Sequence, residues 1–267
     1  MERFTDKVVW ITGASSGIGE ALAGAFAREG ARLILSSRRP EELDRVRRGL
    51  PRADEHLCLP LDLTQSATFH ALTAQVLAKF GRIDILVNNG GVSQRALAVD
   101  ALPEVERALM EVDYFGPVAL TKAVLPSMLA RGAGHVVVIS SVMGYVGTPG
   151  RSTYAAAKHA LHGYFDSLRA EVHQAGLKVT LICPGYVHTN VSDNAVGARG
   201  EKHGRTDATH LRGISAECCA EATLRAVARG KEEITVGGVE TWAVLLKRLL
   251  PGVLSRTIRR MKFTGSR

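Results

Sequence analysis

Seven short, β-rich runs recur along this chain, most of them nearly all apolar, with helical patterns between most of them. The runs fall at 7–12, 32–37, 56–61, 83–88, 135–140, 178–183 and 233–236. Apolar runs that do not alternate in polarity suit parallel strands buried on both faces. Helical patterns lie near 17–29, 40–49, 65–80, 101–130, 152–175 and 216–230. Strand and helix in alternation predict an α/β fold: a doubly wound, seven-stranded parallel sheet with right-handed crossovers. A length of 267 residues suits one such domain, assigned to 1–240, with 241–267 set apart as a basic amphipathic tail. Hydrophobic residues make up 46% of the chain, enough for a core and against wholesale disorder. There is no internal repeat, and the least regular stretch is about 186–213.

The net charge of +8 is unevenly placed. Lys247, Arg248, Arg256, Arg259, Arg260, Lys262 and Arg267 give the tail +7 with no acid, leaving +1 for everything before it. This argues against a nucleic-acid-binding body and gives the end of the chain a local role. Cys58, Cys183, Cys218 and Cys219 form no Cys-x-x-Cys pair, and a reduced, cytoplasmic setting is expected. The opening residues carry no basic-then-apolar leader. No apolar run reaches the roughly 18 residues of a membrane span.

The first run leads into Thr12-Gly13-Ala14-Ser15-Ser16-Gly17-Ile18-Gly19, with a helix after it. Glycines there permit a tight turn and close approach of a diphosphate, which the helix N-terminus attracts. Gly13, Ser15, Ser16, Gly17, Ile18 and Gly19 are therefore candidate dinucleotide ligands, in a Rossmann-type fold. NAD-preferring sites carry an acid at the end of the second strand, yet this chain reads Ser36-Ser37-Arg38-Arg39. An acid repels a 2′-phosphate, whereas a guanidinium grips it. NADP is the expected cofactor, with Arg38 its main contact; a solvated helix entry is the competing reading. Asp62, followed by Leu63, ends the third run and can accept from an adenine amine or cap the next helix. Asn88-Asn89-Gly90-Gly91 ends the fourth, and Gly90 suits close backbone approach to a ligand.

Ser141 ends the fifth run, and Tyr154 and Lys158 follow it in Tyr154-Ala155-Ala156-Ala157-Lys158. At i and i+4 the two share one helix face. Reducing a carbonyl requires a proton for its oxygen, and a free tyrosine ionises near pH 10. A fixed ammonium nearby favours the phenolate, and Lys158 can supply one. Ser141 can hold the substrate oxygen. His188, His203 and His210 are widely spaced and lack a carboxylate or cysteine partner set, so no metal site is expected.

On these motifs, with Pro184-Gly185, the chain resembles the short-chain dehydrogenase/reductases over roughly residues 5–240. The resemblance implies that Tyr154 is the acid/base, Ser141 the substrate-oxygen ligand, and Lys158 the ribose ligand that tunes Tyr154. It implies that Asn88 lies along the cofactor and that 184–189 wraps the nicotinamide, with Pro184, Gly185, Val187 and Thr189 as contacts. It also assigns Tyr186, the 190–213 loop and the segment near 93–97 to the substrate pocket. Where the family carries a catalytic asparagine this chain has Asp113, which can hold the same relay water or pair with Lys158. Val112-Asp113-Tyr114-Phe115-Gly116 and Pro184-Gly185-Tyr186-Val187-His188-Thr189-Asn190 resemble the dehydrogenase/reductase member 7 subgroup, some of whose members are membrane-associated reductases of lipid-like carbonyls.

The expectation is an NADP-dependent carbonyl reductase of apolar or lipid-like ketones or aldehydes. A non-catalytic NADP-binding regulator or scaffold and an NAD-linked alcohol dehydrogenase stay open. For the tail, 242–250 is apolar along one helical side and Pro251-Gly252 breaks it. Two readings remain: a helix in the interface of a homodimer or homotetramer, as in many relatives, or peripheral contact with an anionic membrane.

Overall fold

Strand residues at the centre of the sheet are almost all buried, because both faces are covered there, while Leu57–Cys58 and Glu233–Val236 at its edges are half-buried or exposed. The computed structural model describes residues 3–189, 191–204 and 213–261. Strands β1 (Val8–Thr12), β2 (Arg32–Ser36), β3 (Leu57–Cys58), β4 (Ile85–Asn88), β5 (Gly134–Ile139), β6 (Leu177–Pro184) and β9 (Glu233–Val236) form a sheet in the order β3-β2-β1-β4-β5-β6-β9. Every pairing is parallel. A two-stranded ribbon, β7 (Val187–His188) with β8 (Ile214–Ser215), lies apart from it.

Alternation along the strands feeds two cores. Val9 and Ile11 of β1 face one layer with Leu22 and Phe26 of α1 (Gly17–Arg28) and Leu224 of α7 (Ala216–Ala228). The helix α2 (Pro40–Arg48) adds Leu43 and Val46 to that layer. Val8 and Trp10 face the other layer, with α3 (Phe69–Phe80), α5 (Gly116–Arg131) and α6 (Ser152–Val172). Trp10 is wholly buried, and its indole N–H donates to Ser36 Oγ at 2.8 Å.

Chain order runs one way from β1 to β3 and the other way from β4 to β9, so the switch lies between β1 and β4. In such sheets the crevice past the carboxyl ends of the strands at this switch receives the ligand.

Three expectations need correction. The third strand is only two residues long, although Leu59 and Leu61 still donate to Leu35 and Ser37 beyond it; Pro60 lies between them with its nitrogen toward the open edge of the sheet, where no donor is needed. The single helix expected over 101–130 is α4 (Pro103–Met110), a π-helical turn (Glu111–Phe115) and α5. In the tail, Pro251 ends α8 (Trp242–Leu249) but opens a second helix, α9 (Pro251–Arg259), since proline is well suited to a first helical turn. No helix among the described residues is long and apolar enough to cross a membrane.

Candidate active site

Beyond the ends of β1, β2, β4, β5 and β6 lies a cleft of about 700 Å³. At one end stand Arg38, Arg39, Asp62 and Leu63; at the other stand Ser141, Tyr154, Lys158 and the tail helix α9.

The floor near β1 is built by Thr12. Its hydroxyl accepts from the N–H groups of Asn89 (3.0 Å) and Gly90 (2.9 Å). Asn89 Nδ2 donates in return to the Thr12 carbonyl at 2.9 Å. Gly13 (φ +66°) and Gly17 (φ +57°) hold left-handed backbone that disfavours any side chain. A Cβ on Gly13 would lie 2.8 Å from Gly90 Cα, and one on Gly90 would lie 2.8 Å from Leu63 Cδ1. These cradles stay open only as glycine. Ser16 precedes α1 in extended backbone and no side chain caps the helix, so its first N–H groups remain available to an anion.

Gly13, Ser15, Ser16, Gly17 and Ile18 all line the cleft, as do Gly90, Pro184, Gly185, Val187 and Thr189. Gly19 does not: a Cβ there would overlap the Gly13 carbonyl, so its role is packing α1 onto the loop. Asn88 also departs from expectation. Its side chain is buried and donates to Thr121 Oγ1 at 2.9 Å, and Asn89 lines the cleft instead. Asp62 Oδ1 accepts from the Thr64 N–H and hydroxyl, both at 2.9 Å, so it turns the chain while bordering the cleft. Arg38 is exposed at the cleft edge. Its neighbour Arg39 reaches the glycine loop, donating to Ser15 Oγ at 3.0 Å and Ser16 Oγ at 3.4 Å.

Ser141 caps a short turn after β5. Its Oγ accepts from Met143 N at 3.1 Å and donates to the Pro184 carbonyl at 3.4 Å. The Tyr154 helix is anchored by Gln94, whose side-chain carbonyl accepts from the N–H groups of Thr153 (2.8 Å) and Tyr154 (3.2 Å). The Lys158 ammonium lies 5.4 Å from the Tyr154 ring centre and 3.7 Å from Asp113 Oδ2. Asp113 does not reach the cleft. The π-helical turn buries it completely behind Gly91, where Oδ1 accepts from Val92 N at 2.7 Å. Burial pushes the Asp113 carboxyl above the usual carboxylate range, against the pull of Lys158. Burial opposes the Lys158 ammonium too, but Asp113 and Tyr154 outweigh it and hold Lys158 above the ordinary lysine range.

Two of the segments that the family resemblance assigns to the substrate pocket come together at the cleft. Segments 93–95 and 192–196 are zipped together, with Val196 N on the Ser93 carbonyl and Arg95 N on the Val196 carbonyl, both at 2.8 Å. Ser93, Val191, Asn194 and Lys202 thus wall the cleft beside Tyr186. The tail adds Glu240, Ala243, Leu254, Thr257, Ile258 and Met261; only its helical amphipathicity could have hinted at this. His210 lies outside the described residues, and His188 is exposed. A cluster of His162, Cys183 and Glu233 gathers behind Ser141. Cys183 approaches the ring at Nε2 and Glu233 at Nδ1, on different sides, and Ser140 already bonds Nε2 at 2.9 Å. Burial pushes the Cys183 thiol up to about 12.

A family model described as short chain dehydrogenase matches residues 7–199. Dehydrogenase/reductase SDR family member 7B of Mus musculus is 43% identical over 257 residues, covering 94% of this chain and 80% of that protein. Among solved structures, a short chain dehydrogenase/reductase from Burkholderia phymatum in complex with NAD superposes with a TM-score of 0.81 at 26% identity, covering 98% of this chain and 99% of that one. An alcohol dehydrogenase from Thermococcus sibiricus complexed with 5-hydroxy-NADP gives 0.74 at 26% identity, covering 88% and 97%.

Proposed function

Because this chain belongs to the short-chain dehydrogenase family and is an oxidoreductase of that type, we propose that it uses NADP(H) to reduce an apolar or lipid-like ketone or aldehyde, or to run the reverse oxidation. When bound, the nicotinamide supplies or takes the hydride. The residues here fit such a dinucleotide: the glycine cradles at 13, 17 and 90 leave backbone accessible, and the open N-terminus of α1 suits a diphosphate.

One observation carries the choice of nucleotide. The end of β2 holds Arg38 and Arg39 and no carboxylate, at the edge of the same cleft. A 2′-phosphate gains charge-assisted bonds there. The ribose hydroxyls of NAD find no acceptor acid.

At the other end Ser141 Oγ holds the substrate oxygen. Tyr154 gives that oxygen its proton, or removes it in oxidation. The Lys158 ammonium stabilises the resulting phenolate and offers N–H donors to a ribose. Asp113 keeps Lys158 charged and in place. Val142, Met143, Val146, Leu254 and Ile258 make the surrounding walls apolar, which favours an apolar substrate and keeps water away from the reacting atoms. Cells usually hold NADP reduced, so reduction is the proposed direction.

Fluorescence titration with NADPH and NADH, followed by a carbonyl panel, tests the proposal. Arg38→Ala with Arg39→Ala should weaken NADPH roughly 10- to 100-fold, the value of one or two charge-assisted bonds, and leave NADH unchanged. Equal losses for both nucleotides would refute the NADP assignment.

A further inference from the structure

The two tail helices are two-sided. Inward, Ala243, Leu254, Ile258 and Met261 line the cleft. Outward, α8 carries Trp242, Leu245 and Leu249 one helical stripe apart, exposed at 68%, 50% and 73%. Leu250 and Val253 continue that surface into α9. Seven of the eleven large hydrophobic residues exposed among the described residues lie between Val239 and Met261. A patch this concentrated marks an interaction surface.

Its charge selects the partner. Arg248, Arg256, Arg259 and Arg260 are all exposed around the stripe. Among the described residues none of them pairs with an acid, and 241–267 contains no acid at all. A second copy joined by a two-fold axis would set this basic surface against itself. An anionic bilayer instead accepts the leucines and tryptophan in its interface and the guanidiniums at its headgroups.

We propose that α8 and α9 dock this protein on an anionic lipid surface, and that a lipid-dissolved carbonyl enters the cleft beneath α9. Met261 lines the cleft and is 45% exposed, so the cleft opens at this edge. The entry route rests on the reductase reading; the docking does not.

The test is flotation of the full chain with vesicles of phosphatidylcholine alone or mixed with phosphatidylserine. The wild type should float with the mixed vesicles and be released by high salt. Neutralising Arg248, Arg256 and Arg259 to Gln should lower partitioning about 100-fold, from roughly fivefold per basic residue. These three side chains lie outside the cleft lining, so NADPH binding and turnover of a water-soluble carbonyl should persist, while the gain on a vesicle-dissolved carbonyl disappears. Wild type remaining soluble, or equal flotation of wild type and variant, would overturn the docking. So would a dimer that Leu245→Ser converts to monomer without any vesicle binding, which would give the surface to a second copy. Flotation without turnover of any carbonyl would leave the docking standing and sink the reductase reading.

Discussion

The proposed chemistry rests on a phenol and an ammonium on adjacent turns of α6, backed by a carboxylate with no access to solvent. Replacing Tyr154 with Phe removes only the phenolic hydroxyl. Turnover should fall roughly 10²- to 10⁴-fold, as when a general acid is lost, with NADPH affinity by fluorescence unchanged; undiminished turnover would remove Tyr154 from the mechanism. In the proposed mechanism Asp113 acts through Lys158, which it approaches to 3.7 Å. The carboxylate raises Lys158, so Asp113→Asn should lower it, and the alkaline limb of the pH–rate profile should move to lower pH. Superimposable profiles would show that the charge at this position is irrelevant. The sequence made Ser141, Tyr154 and Lys158 legible, because their order and spacing are local properties. It misassigned Asn88 and left the depth of Asp113 undetermined, because those depend on which way a β4 side chain turns and on a widened helical turn. Such turns recur at functional sites, but no single residue among 111–115 announces one.

At the scale of elements, β5 and β6 are joined by a polar contact inside the core. His135 on β5 is buried, and its Nε2 lies 2.7 Å from Thr180 Oγ1 on β6, which donates onward to the Lys231 carbonyl at 2.5 Å. Burial lowers His135 to about 4 from its ordinary 6.5. The unfolded chain therefore binds this proton in a range where the folded chain does not, so stability is lost as pH falls through 6.5 and stops falling below 4. Between pH 7 and pH 5 this site should cost about 2 kcal/mol. His56 and His162 are also lowered by burial and add in the same direction. Urea unfolding at the two pH values should show the drop, and His135→Leu should flatten part of it; an undiminished drop would free His135 of the effect. The central strands were legible because runs buried on both faces are largely apolar, whereas β9 at the edge alternates exposed and half-buried residues. One boundary error falls where proline acts, since Pro251 starts a second helix in the tail.

At the scale of the whole molecule, Glu240 helps tie the tail to the body. Glu240 Oε1 accepts from Tyr186 N and Gly238 N, each at 2.9 Å, and joins the loop after β6 to the segment leading into the tail. It sits so close that a Cβ on Gly185 would collide with it, and one on Gly237 would come within 2.5 Å. Further along, the Lys247 ammonium bonds the Tyr145 carbonyl. These contacts turn an amphipathic tail into a wall of the cleft, and no local pattern foretells them, because they join residues 54 and 102 positions apart. Glu240→Ala would remove two hydrogen bonds to its carboxylate, each worth about 0.5–1.5 kcal/mol, a loss of about 1–3 kcal/mol. If that energy holds the tail against the body, the open state should become roughly 5- to 150-fold more populated. Trypsin should then cut after Lys247, Arg248 or Arg256 faster by the same factor, provided opening and closing outpace cleavage, while β9 and the sheet stay resistant. Cleavage at the wild-type rate would mean that the tail is held by its apolar inner face alone and that Glu240 only shapes the loop after β6.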